Sequence, residues 1–129
     1  MLFTFQLKTP SHGLINITPE IREAVKESGV MEGICVVFCP HTTAAITINE
    51  NADPDVKADF INGMDSFFPD LNIFEHSEGN SGAHIKSSVV GAGETIIITG
   101  GRPLLGTWQD VYFCEFDGPR NRKFYVKII

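Results

Sequence analysis

Phe3, Phe5 and Leu7 alternate with Thr4, Gln6 and Lys8 at the start of the chain, and this two-residue period constrains the fold more than any other feature. Successive side chains of a strand point to opposite faces, so the segment reads as a strand with one apolar and one solvated face. Strand-type runs recur at Leu14–Ile17, Gly33–Cys39, Ala44–Asn49, Glu94–Thr99, Trp108–Phe116 and Arg122–Ile129. Gly33–Cys39 is continuously apolar and is expected to be buried on both faces, whereas Ala44–Asn49 alternates, with Ile46 and Ile48 inward. Asp117-Gly118-Pro119-Arg120-Asn121 reads as a hairpin turn joining the last two strands.

Helix signals interrupt these strands. Thr18 is expected to cap a helix with Pro19 at its first position and Glu20 next, Ile21, Ala24, Val25 and Ser28 share one face, and Gly29 is a natural stop. Asp53-Pro54 is a second start, with Val56, Phe60, Met64 and Phe67 forming a core-facing stripe that Pro69 ends. Ser81 or Gly82 opens a short helix, Ala83–Val90, ended by Gly91. About seven strands with two or three helices predict a mainly antiparallel α+β domain. The 129 residues fit one domain, 1–129.

Charge and cysteine usage narrow the function. The net charge is −6 and the pI about 5.1, and the one basic concentration, Arg120, Arg122 and Lys123, falls at the expected hairpin tip, so nucleic acid is not the expected partner. No apolar run is long enough to span a membrane, and the N-terminus reads as a strand rather than a signal peptide. Cys35 and Cys39 lie too far apart along one strand to bridge. Core cysteines point to a reducing cytoplasm.

Three histidines stand in polar turns: His41 in Pro40–Thr43, His76 in Glu75–Asn80, and His84 in Ser81–Lys86. Imidazole is the commonest metal ligand and acid–base group near neutral pH. Three rings from separate segments could hold one ion and leave a coordination position open. His12, beside Pro10 and Gly13, reads as an ordinary turn histidine. Asn80, Ser81 and Gly82 before a helix form a candidate anion site, with Lys86 about one turn in. Gly100-Gly101-Arg102 is a second, where Arg102 could clasp a phosphate. Glu50 and Asn51 have no evident structural duty and are candidates to orient an imidazole or act as a base.

His41–Ala45, Asn49–Val56, Ala83–Ser88, Gly106–Gln109 and Glu115–Arg120, in this order, resemble the YjbQ family, also called the secondary thiamine-phosphate synthase family. The resemblance covers nearly the whole chain. It implies an eight-stranded β-sandwich with flanking helices that assembles as a homotrimer. It places His41, His76 and His84 on the family's histidine positions, with Glu50, Asn51 and Lys86 beside them. The implied function is a small cytosolic enzyme acting on a small phosphorylated substrate. His41, His84 and Glu50 would be catalytic, and Asn51, Asn80, Ser81, Gly82, Lys86 and Arg102 would bind the anion. The three histidines would hold a divalent metal, zinc rather than magnesium, because Asn80–His84 carries no acidic residue. Thiamine-phosphate synthesis would be a secondary activity. The alternatives are a metal-dependent hydrolase or lyase and a non-catalytic metal- or anion-binding trimer. In this scheme His84→Ala removes turnover and Lys86→Ala weakens anion binding.

Overall fold

Eight strands and three helices follow one another in the computed structural model, which describes residues 1–129. They are β1 (Leu2–Lys8), β2 (Gly13–Asn16), α1 (Thr18–Ser28), β3 (Gly33–Phe38), β4 (Ala44–Glu50), α2 (Pro54–Phe67), α3 (Ser81–Val90), β5 (Gly93–Thr99), β6 (Arg102–Pro103), β7 (Gln109–Glu115) and β8 (Asn121–Ile128). Every strand pairing is antiparallel. One sheet has the order β1-β8-β3-β5-β6 and the other β2-β7-β4. The α+β class expected from the sequence is the one observed.

The main core lies between the sheets. Phe124, Val126 and Ile128 of β8 and Cys35 and Val37 of β3 meet Ala44 and Ile46 of β4 and Val111 and Phe113 of β7, while Ile21, Ala24 and Val25 of α1 join them. A smaller cluster, Ala45, Ala83, Cys114 and Phe116, fills the space between the three-stranded sheet and the helices, with Phe60, Ile61 and Met64 packed against it. β7 is therefore the strand covered on both faces.

Four local readings change. Gly33–Cys39 is not buried on both faces: Cys35 and Val37 are sealed, but Ile34 and Phe38 are exposed. Their face belongs to the outside of the five-stranded sheet. Thr18 is not a cap; it is the first residue of α1, and its Oγ1 accepts from the Val111 N–H at 2.8 Å, tying the helix to β7. The α2 stripe is only partly covered, and Phe67 is 80% exposed.

The fourth change matters most. Asp117–Asn121 is not a hairpin turn, because β7 belongs to the small sheet and β8 to the large one. The segment is a crossover. Gly118 is required there: its N–H donates to the Ser11 carbonyl at 2.8 Å, and an added Cβ would stand 2.0 Å from the Pro10 carbonyl oxygen. The passage from β3 to β4, through Pro40–Thr43, is a second crossover at the same end. The passage from β1 to β2 is a third.

Candidate functional site

The three crossovers are clamped together by one buried ion pair. The Arg122 Nε donates to Glu115 Oε1 at 2.8 Å and Nη2 to Oε2 at 2.6 Å. Nη2 also donates to Thr43 Oγ1 at 2.8 Å, and Thr9 Oγ1 donates to Glu115 Oε1 at 2.5 Å. Glu115 is fully buried, and Arg122 nearly so. Burial alone pushes the Glu115 carboxyl up, but hydrogen bonds from Arg122, Thr9 and the Asp117 N–H outweigh it and hold the group below its ordinary range. Arg122, expected at a hairpin tip, is instead turned inward by its alternation with Phe124, Val126 and Ile128.

Above this clamp lies a polar cleft of about 350 Å³. His41, His76 and His84 line it together, with Asn80, Arg120 and Arg122. His41 comes from the β3–β4 crossover, His84 from the first turn of α3, and His76 from the loop before that helix. The His76 and His84 rings stand edge to face with centroids 5.3 Å apart, and neither ring is hydrogen bonded within the protein. Both are free to meet a ligand.

His41 is held differently. Its Nε2 accepts from the Lys123 N–H at 3.0 Å, which places the ring proton on Nδ1. Burial lowers its pKa, and the nearby Arg122 guanidinium acts in the same direction. His41 is thus a neutral ring committed as a donor at Nδ1, a poor general base but a good hydrogen-bond donor to an anion.

Both arginines are gripped along one edge. Arg120 donates from Nε to the Asp117 carbonyl at 2.7 Å and from Nη2 to Asp117 Oδ2 at 3.0 Å. The same Oδ2 accepts from Asn80 Nδ2 at 2.7 Å. In Arg120 and Arg122 alike, Nη1 has no partner in the protein. Fixing one edge of a guanidinium leaves the other preorganised for an anion at low entropic cost.

Other expected site residues lie elsewhere. Glu50 and Asn51 stand at the far end of β4 from the cleft, about 20 Å along a seven-residue strand. There Glu50 pairs in register with Gln109, and the Asn51 N–H donates to the Trp108 carbonyl at 2.8 Å. Arg102 lies by Arg22 and Lys26 of α1, and the Gly100 N–H donates to the Glu32 carboxylate. Gly82 cannot offer its amide to a phosphate, because that N–H already donates to Asp70 Oδ1 at 2.7 Å. Ser81 opens α3 but is not among the cleft residues; Asn80 is.

Lys86 is also outside the cleft. It is buried and paired with Asp65 of α2, which His12 Nδ1 also approaches at 3.3 Å. Two residues along a helix turn the side chain by about 200°, so Lys86 leaves the opposite side of α3 from His84. Lys86→Ala is therefore expected to cost about 1 to 3 kcal/mol of stability, read as a lowered denaturant midpoint, with phosphate binding unchanged. A loss of phosphate affinity without a loss of stability would contradict this placement.

Cys39 borders the cleft without entering it. It is buried, and burial pushes its thiol up to about 11, so it is no nucleophile at neutral pH.

Residues 3–129 match the family described as UPF0047 protein YjbQ-like. The chain belongs to the YjbQ/UPF0047 family. A UPF0047 protein of Methanocaldococcus jannaschii is 60% identical over all of this chain and 94% of its own length. YugU of Bacillus subtilis, also a UPF0047 protein, is 50% identical over all of this chain and 99% of its own. A crystal structure of a YjbQ/UPF0047 protein from Clostridium acetobutylicum, described as uncharacterized, superposes with a TM-score of 0.96 at 55% identity, covering 98% of this chain and 99% of that one. In this YjbQ-family chain no group of three or more His, Cys, Asp or Glu side chains is gathered as a metal cluster. No helix is long and apolar enough to cross a membrane.

Proposed function

We propose that this YjbQ-family chain is a small enzyme that binds a phosphate-class group of a small substrate in the crossover cleft and moves a proton there. The observation that carries the reading is the gathering of three imidazoles with two edge-tethered guanidinium groups around one polar cleft. The Nη1 groups of Arg120 and Arg122 and the Nδ1–H of His41 supply donors to the anion. His84 is the acid–base group, because its ring is uncommitted and lies against His76, which can relay or share a proton. The same donors suit departure of pyrophosphate when a pyrimidine diphosphate alkylates a thiazole phosphate to give thiamine phosphate. Thiamine-phosphate synthesis is accordingly proposed as a secondary activity of the same cleft.

A second reading, a divalent metal such as zinc, is favoured by the 5.3 Å separation of the His76 and His84 rings. The donor set fits a metal less well than an anion. A third protein donor is not gathered beside the pair, and two guanidinium groups share the cleft. A non-catalytic anion-binding module would use the same cleft without turnover.

Calorimetric titration separates these readings. Inorganic phosphate is expected to bind, and Arg120→Ala to weaken it about tenfold, as expected for one charged hydrogen bond. Tight zinc binding lost in His76→Ala and His84→Ala would favour the metal. Phosphate binding with no turnover across a panel of phosphate esters would favour the module.

We further propose a homotrimer, with three as the number that the family resemblance implies. The outer face of the five-stranded sheet supports a subunit contact: Leu2, Ile34, Phe38 and Ile97 are exposed there. Ile34 pairs with Ile97 of β5 and, four residues along β3 on the same face, Phe38 pairs with Tyr125 of β8. Large apolar side chains gathered on one exposed sheet face mark an interaction surface. Light scattering should give three times the 14.2 kDa chain mass, and Phe38→Lys with Ile97→Lys should give the monomer. A wild-type monomer at micromolar concentration would reject the assembly. Three buried free thiols suit a reducing compartment, and we assign the chain to the cytoplasm.

A further inference from the structure

His41 and Arg122 line two concavities. One is the histidine cleft. The other, of about 470 Å³, is lined by the same two residues together with Gln6 and Lys8 of β1 and Asn121 and Lys123 of β8. Gln6 is in register with Lys123 and Lys8 with Asn121. Alternation therefore sends all four side chains to the same face of the sheet. Lys8 stands about 20 Å along β1 from Leu2, while Lys123 lies two residues along β8 from Tyr125, at the edge of the apolar patch.

The two concavities differ in charge. In the histidine cleft each guanidinium is matched by a carboxylate, Arg120 by Asp117 and Arg122 by Glu115, and Glu78 adds a further negative group. That cleft offers directed N–H donors with little net positive charge. The second concavity has Lys8 and Lys123, neither in an ion pair, and no carboxylate lines it. The Lys123 Nζ rests over the Tyr125 ring at 5.7 Å, which steadies it. On a chain with a net charge of −6, a carboxylate-free concavity holding two unpaired lysines is a local exception and attracts anions.

We propose that the two concavities form one bipartite site for a small molecule carrying two phosphate-class anions. One anion is held by the charge of Lys8 and Lys123. The other is held by the hydrogen bonds of Arg120, Arg122 and His41, with the reacting part beside His76 and His84. This inference rests on the anion-binding reading of the histidine cleft and deepens it to a substrate class.

The test is titration of the purified protein with fructose 6-phosphate, fructose 1,6-bisphosphate and 2,3-bisphosphoglycerate at one ionic strength, the two bisphosphates differing in length. At least one bisphosphate is expected to bind about tenfold or more tightly than the monophosphate. The exposed pair Lys8→Gln/Lys123→Gln should fold normally and bring that ratio close to one, as should Arg120→Ala from the other side. No advantage for either bisphosphate, or an advantage that survives the double lysine variant, overturns the bipartite site. If the monophosphate still binds and Arg120→Ala weakens it, the simpler reading of the cleft stands while this inference falls. If no phosphate compound binds, both fall.

Discussion

Glu115→Ala is expected to lower the free energy of unfolding by about 3 to 5 kcal/mol, the cost of leaving a buried charge without its partner. A domain of this size has only about 5 to 15 kcal/mol in total, so the variant should stand near the edge of folding. The loss is large because one carboxylate accepts four hydrogen bonds, two from Arg122 and one each from Thr9 and the Asp117 N–H. These donors come from separate crossovers, so removing Glu115 loosens the frame of the cleft as well as the ion pair. Glu115→Gln keeps the shape and should cost less. The pH dependence follows. The Glu115 carboxyl is held below its ordinary value of 4.5, so its contribution is fully present above about pH 4.5. It is lost as pH falls through the lower folded value. Chemical denaturation at pH 7 and at stepped acid pH measures both effects. A Glu115→Ala protein as stable as wild type would mean that the clamp does not hold the crossovers.

The second large effect falls on chemistry. His84→Ala should reduce turnover of a phosphate-ester substrate by about 10²- to 10⁴-fold, the usual contribution of a positioned acid–base group. The melting temperature should change little, because the His84 ring is half-exposed and hydrogen bonded to nothing in the protein. His41→Ala should instead act mainly on affinity, since its ring is fixed as an Nδ1 donor by the Lys123 amide. Steady-state kinetics read the split as a fall in kcat for His84 and a rise in KM for His41. Equal small effects from both changes would shift the reading from enzyme to binding module.

The sequence made the strands and helices legible because their signals are local. The alternation of Phe3, Phe5 and Leu7, the Asp53-Pro54 start and the stop at Gly29 act within a few residues, and each corresponds to an observed element. Asp53 Oδ1 does accept from the Asp55 N–H at 2.9 Å, as a cap should. Pairing between distant strands was not legible. Asp117-Gly118-Pro119 has the turn chemistry of a hairpin and of a crossover alike, and only the partners of β8 decide between them. Ile34, Val36 and Phe38 are as apolar as the core residues between them. Sequence does not distinguish a face buried by the fold from one left for another surface.

The candidate site divides in the same way. The three histidines could be found because each sits in a polar turn, and the crossovers bring those turns to one end. Glu50 lies away from the cleft because six residues of strand carry it from Ala44. Lys86 lies outside it because a helix turns it away from His84. Arg122 carries its own signal, a charge in phase with Phe124, Val126 and Ile128. Glu115, in phase with Val111 and Phe113, left the matching one. Two opposite charges at inward positions of facing strands announce a buried pair.

The most direct test of the cleft is nitrogen NMR of the four histidine rings during a titration with inorganic phosphate. The His41, His76 and His84 resonances should shift together with a single dissociation constant. His12, tied to Asp65 away from the cleft, should stay still. If the three rings do not respond, or if His12 moves with them to the same extent, the crossover cleft is not the anion site.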